Sequence, residues 1–228
     1  MQQLFNILII LHVAGGTLGL ICGTVAAAVI KGKKAHILNG KLFSIGMITA
    51  AVSALVISNL PTHENLFLFA VGGFTFYMVT TGYRIVWLKR NNAVRPKVFT
   101  ALDYALFAFG VCFSVFLLYM SVKGAVDGNM FSLVPGVFGL ICLNFARMDY
   151  QLFMGKETIK QFWITSHITR MMGALIASYT AFLVVNVQID MQWILWLLPS
   201  ALGGFLIRRF LKKFAPKKNA KAIQKIQA

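Results

Sequence analysis

The chain carries 4 histidines, and the other polar groups able to do chemistry gather around two of them. His36 and Asn39 open one apolar run. Arg84 closes another, after Thr80, Thr81 and Tyr83. Asp103 opens the next, and Asn144, Arg147 and Asp149 close the one after it. His167 and Arg170 stand in the first turns of a later run. Ionisable groups set into apolar sequence are costly and usually serve a purpose. His167 and Arg170 are three residues apart, so a helix puts them on one face. Two histidines from different helices at one depth are the axial ligands that a six-coordinate haem needs. On that reading His36 and His167 ligate a haem b iron. Arg170 and Arg84 then pair with its propionates. Two other readings use the same residues. Three arginines against two aspartates leave positive charge for an anionic solute or headgroup. Arginines at helix ends also snorkel, and Asp–Arg pairs fasten helices together without any ligand.

His12 stands apart. It lies about eight residues, roughly 12 Å, from the other end of its run. It shares a helical face with Gly16, Gly19 and Gly23. It reads either as a buried neutral histidine bonded to a carbonyl or hydroxyl, or as a cofactor ligand. The only other histidine on that side is His63, in the loop Pro61-Thr62-His63-Glu64, which anchors a ligand poorly. Other templates are missing. The chain has no His-Glu-x-x-His, no Gly-x-Ser-x-Gly, no phosphate loop and no dinucleotide fingerprint. Cys22, Cys112 and Cys142 fall inside apolar runs at no metal-ligand spacing and read as small packing residues.

The elements that position these groups are membrane spans. Of 228 residues, 58% are hydrophobic and 12% charged. Apolar runs near twenty residues match a bilayer core of about 30 Å. Seven are expected, at about Leu4–Ile30, Leu42–Leu60, Leu66–Leu88, Ala101–Val122, Met130–Ala146, Phe162–Val187 and Met191–Phe210. Backbone polar groups in lipid must satisfy one another, so the spans are helices. The fold class is an all-α polytopic transmembrane bundle covering 1–210, with a basic tail at 211–228. The fifth span is short and holds Pro135-Gly136, the one break expected in a helix. The seventh lacks a lysine for a retinal Schiff base.

Charge orients the bundle. All of the 22 Lys and Arg residues except Lys123 fall in or beside the first, third and fifth connectors or the tail. The positive-inside rule then puts the N-terminus outside and the C-terminus in the cytoplasm of an inner (plasma) membrane. The net charge of +16 is interleaved with apolar spans, which argues against nucleic acid and for anionic inner-leaflet lipid as the partner. The first span also carries Gly15, Gly19, Gly23 and Ala27 at four-residue spacing, and the sixth Gly173, Ala177 and Ala181. Such faces let helix backbones approach closely, or leave room for a flat cofactor.

These segments resemble a bacterial multi-pass membrane-protein family of unknown function common in Bacteroidetes-type genomes. The matching residues are Leu11-His12-x-x-Gly15-Gly16, His36-x-x-x-Gly40-Lys41-Leu42-Phe43, Thr81-Gly82-Tyr83-Arg84, and Phe138-Gly139-Leu140 with Asp149. The most specific stretch is His167-Ile168-Thr169-Arg170-Met171-Met172-Gly173-Ala174, leading to Thr180–Asn186. The resemblance spans nearly the whole chain. Its layout is distantly similar to two-haem b-type membrane cytochromes, which implies histidine-ligated haem and a quinone or membrane-protein partner. Ile37 stands where the resemblance implies an arginine after His36.

The leading expectation is therefore a haem b electron-transfer protein. The alternatives are a transporter, a lipid- or anion-binding protein, or a structural subunit of a membrane complex. If the topology holds, single cysteines placed at Lys33 and Lys97 will both react with an impermeant maleimide only from the cytoplasmic face.

Overall fold

The computed structural model describes residues 2–90, 99–156 and 159–214. Among them every regular element is helical: α1 (Gln2–Ala28), α2 (Lys34–Ile57), α3 (Leu66–Arg90), α4 (Ala101–Val126), α5 (Leu133–Phe153), α6 (Ile159–Asn186) and α7 (Trp193–Phe214). A single 3₁₀ turn at Met130–Ser132 precedes α5. All seven α-helices are long and apolar enough to cross a membrane, the make-up of a multi-pass membrane protein. Their outward-facing residues are largely apolar, as Ile10, Ile21, Val115, Leu140 and Phe205 illustrate. In water such a surface would aggregate; in lipid it is solvated.

The expected spans are recovered, but several helices overrun them. α2 begins at Lys34 rather than near Leu42, and α5 continues to Phe153 rather than ending near Ala146. The reason is physical: apolarity reports the bilayer core, whereas helical hydrogen bonding continues into the polar interface. His36 therefore falls in the first turn of α2, and Asp149 lies inside α5, about one turn before its end. Pro135 breaks nothing. It lies in the first turn of α5, where a missing N–H has no helical partner to lose. The proline inside a helix is Pro199 in α7, which the helix continues through. Cys22 and Cys142 are buried packing residues as expected, but Cys112 is exposed on α4. Positions 215–228 of the tail, and Arg95 and Lys97, lie outside the described residues.

α3 is the hub. It packs on α2, α4, α5 and α6, and 61% of its most apolar window is buried, against 11% for α1 and for α7. The core gathers around it from Phe74, Tyr77, Met78, Phe113, Leu117, Cys142 and Ala174. The tightest pairing, however, is α1 with α2. A Cβ on Gly15 would lie 2.7 Å from the Gly46 carbonyl oxygen, and one on Gly46 would lie 2.6 Å from that of Gly15. The two backbones touch directly, which is what the glycine face of α1 is for. Gly19 and Gly23 continue the seam against Met47 and Phe43.

Gly46→Ala must push backbone against backbone and is expected to cost about 1–3 kcal/mol. Gly16→Ala, with open space around it, should stay within about 0.5 kcal/mol of wild type. Thermal unfolding in detergent compares the two.

Candidate functional site

The polar residues converge at the end of the bundle that carries the lysine-rich connectors, and they divide into three groups. The first is the histidine pair. The rings of His36 on α2 and His167 on α6 lie with centroids 6.4 Å apart and planes 84° apart. Each ring is tethered. His36 Nδ1 is 3.0 Å from the Ala26 carbonyl oxygen of α1, and His167 Nδ1 is 3.1 Å from the Gly82 carbonyl oxygen of α3. A carbonyl can only accept, so each Nδ1 carries the proton and donates it. In a neutral ring Nε2 then bears the lone pair. This is the second-sphere arrangement that orients a histidine for ligation. Gly40, one turn along α2 from His36, has nothing within 4 Å of where a Cβ would stand, so that face of α2 is open.

The second group is an ion pair between α5 and α6. Arg170 is 1% exposed. It reaches both oxygens of Asp149, Nη2 to Oδ1 at 2.6 Å and Nη1 to Oδ2 at 3.1 Å. Nη2 also donates to the Phe145 carbonyl at 3.3 Å. Tyr77 of α3 donates its hydroxyl to Asp149 Oδ2 at 2.8 Å. The guanidinium lies 5.0 Å from the Phe145 ring centre and 5.7 Å from that of Tyr77. Three helices are thus joined by one carboxylate. The Nε–H of Arg170 and the hydroxyl of Ser166 are buried without a protein partner.

The third group joins α3 to α4. Arg84 grips Asp103 through Nε at 2.7 Å and Nη2 at 2.8 Å, and reaches Thr100 Oγ1 at 3.1 Å. The Thr100 N–H donates to Asp103 Oδ2 at 2.8 Å, which ties the carboxylate to the start of α4. The guanidinium stacks on Trp87, 4.1 Å from its ring centre. A cavity of about 30 Å³, lined by Thr81, Arg84, Asp103 and Asp149 among others, separates this pair from the second group. It has room for a single water.

The structure therefore brings His36 and His167 together, but assigns Arg170 and Arg84 to the two aspartates. The excess arginine, Arg147, is exposed. His12 lies apart from this cluster, its Nδ1 donating to the Ala50 carbonyl at 2.9 Å. His63 is stacked on Phe5 at 3.9 Å with planes 7° apart. Among the described residues no three His, Cys, Asp or Glu side chains gather as a metal site.

Sequence reasoning overlooked Tyr77, 72 residues from Asp149, because no local spacing marks such a contact. It also overlooked Lys31. That side chain folds back on the end of α1 and donates to the carbonyls of Ala26 at 3.1 Å, Val29 at 3.2 Å and Ala27. Its ammonium sits 4.6 Å from the ring centre of Phe210 on α7. Burial, with Lys213 adding repulsion, holds this amine below the ordinary lysine range. Lys31 caps α1 with a positive charge where its carbonyls end, and it shares the Ala26 carbonyl with His36.

Scans against protein-family models, curated proteins and solved structures return no match.

Arg170→Met leaves the Asp149 carboxylate buried without its counter-charge and should cost about 3–5 kcal/mol. Arg170→Met combined with Asp149→Asn keeps an acceptor for Tyr77 and removes the stranded charge, so most of the loss should be regained. Thermal unfolding in detergent, with size-exclusion profiles, reads both.

Proposed function

We propose that this chain is an electron-transfer protein of the plasma (inner) membrane, with His36 and His167 as the two axial ligands of a haem b. The observation that carries the reading is the geometry of the pair. Two imidazoles bonded through Nε2 to opposite sides of one metal, at roughly 2 Å per bond, have ring centres about 6 Å apart. The separation here is 6.4 Å. Both rings have Nδ1 occupied by a carbonyl and Nε2 left for a metal. The open face beside Gly40 gives a flat macrocycle a place against α2.

Haem held in this way supplies reversible one-electron transfer. The protein's part is to fix both rings and to exclude water from them. It also holds charge near the centre. Lys31 is the cation closest in bonding terms, because it and His36 use the same carbonyl. Arg170 and Arg84 act one step further out, as neutralised pairs that set the local field rather than as free partners for propionates. A quinone or a membrane-protein partner is the redox partner class that fits a half-buried centre near the edge of the bundle. The orientation with this end toward the cytoplasm, and anionic inner-leaflet lipid around it, rests on the lysines and arginines gathered there.

The rival reading, a transporter or anion binder using Arg84 and Arg170, has less support because each guanidinium already holds a carboxylate. A purely structural subunit would need no tethered histidine pair.

Expression under haem-replete conditions should yield a detergent-purified protein with a Soret band and a low-spin bis-histidine spectrum. His36→Ala and His167→Ala should each remove the low-spin signature while size exclusion shows a folded monodisperse protein. Wild-type protein without a Soret band overturns the proposal.

A further inference from the structure

A second cavity lies at the opposite end from the histidine pair. It measures about 270 Å³ and is formed where α3 begins, α4 ends and the 3₁₀ turn leads into α5. That is close to the lower end of the range for small-molecule sites, about 300 Å³. Its walls are mostly apolar, with Phe67, Met120, Phe131 and Pro135 among them. Two residues of opposite charge also line it, Lys123 in the last turn of α4 and Asp127 at its C-cap.

These two charges are not spent on each other. Among the described residues the ion pairs are Arg84–Asp103 and Arg170–Asp149, and neither the Lys123 ammonium nor the Asp127 carboxylate takes part in a side-chain hydrogen bond. Lys123 is also the one Lys or Arg that breaks the charge asymmetry of the whole chain. A cation and an anion one helical turn apart, both free and both facing one cavity, match a ligand that carries the two signs a similar distance apart. The aromatic surroundings say where such a ligand sits. Trp196 of α7 packs edge-on against Phe67 at 5.3 Å and Phe131 at 6.2 Å, and Phe131 is 69% exposed. A Trp in the first turn of a span marks the headgroup level of a bilayer.

We propose that this cavity binds a phosphate–ammonium zwitterion, with Lys123 taking the phosphate and Asp127 the ammonium. The same chemistry comes from the headgroup of an aminophospholipid or from a free phosphoamine. Apolar walls beside the charges accommodate the glycerol and first acyl carbons of the former. The inference is independent of the histidine pair, and either can fail alone.

The test uses the full chain, delipidated in detergent and offered equal amounts of phosphatidylethanolamine and phosphatidylglycerol, with retained lipid counted by native mass spectrometry. Wild type should retain the ethanolamine lipid over the glycerol lipid by about fivefold, the selectivity one exposed ion pair can supply. Asp127→Asn should bring that ratio to about one, whereas Lys123→Gln should lower retention of both lipids, which share the phosphate; both positions are exposed, so the variants keep the fold. Soluble phosphoethanolamine is offered in a second arm. If it raises thermal stability in wild type but not in the variants, without lipid selectivity, the ligand is the free zwitterion. Equal retention of the two lipids together with no response to phosphoethanolamine overturns the proposal, as does selectivity that survives Asp127→Asn or lipid retention that is unchanged by Lys123→Gln.

Discussion

A bilayer offers buried charge no water, so every ionised group inside it must be answered by the protein. The Arg170–Asp149 pair meets that constraint, and much of the bundle is arranged around it. Arg170 is almost wholly enclosed, and its partner is held from a second side by Tyr77. Breaking such a pair strands a charge where it cannot be solvated. The consequence is geometric: α3, α5 and α6 meet at one carboxylate and cannot slide past one another independently. Arg84 and Asp103 repeat the solution for α3 and α4, closer to the helix ends.

Two neighbouring positions on one face of α6 then do different work. Arg170 turns toward α5, while His167, one turn earlier, turns toward α2 and His36. Gly82 stands between them. Its carbonyl accepts from His167, and a Cβ placed on it would lie 3.0 Å from the Cβ of Arg170. One residue of α3 therefore sets the orientation of the histidine and permits the approach that buries the arginine. This coupling through a shared backbone gives the histidine pair a rigid frame although it sits near the edge of the bundle.

The count of membrane-length helices, the all-helical class and the gathering of polar residues at one end of the bundle were legible in the sequence, because each follows from apolarity and charge along the chain. The proximity of His36 and His167 was inferred from matched depth, and the structure places the rings within reach. What the arginines do was not legible. Counting three arginines against two aspartates gives a surplus, but only the fold shows that the surplus is Arg147, turned outward, and that Arg84 and Arg170 are paired. Tyr77 escaped for a related reason. An aromatic residue inside an apolar run looks like packing until a carboxylate from a distant helix is found beside its hydroxyl. Pro135 misled in the opposite direction, since a helix breaker is harmless in a first turn.

The direct backbone contact between Gly15 and Gly46 bears on how the chain is made. α1 and α2 form a hairpin whose backbone contact needs only residues up to Ile57, and His36 finds its carbonyl at Ala26 within the same hairpin. During synthesis this unit is complete before α3 has left the ribosome, so one of the two imidazoles is aimed before the helix that carries the other has been translated. Assembly of the bundle is thereby ordered along the chain, with the early hairpin as the template onto which the later helices pack.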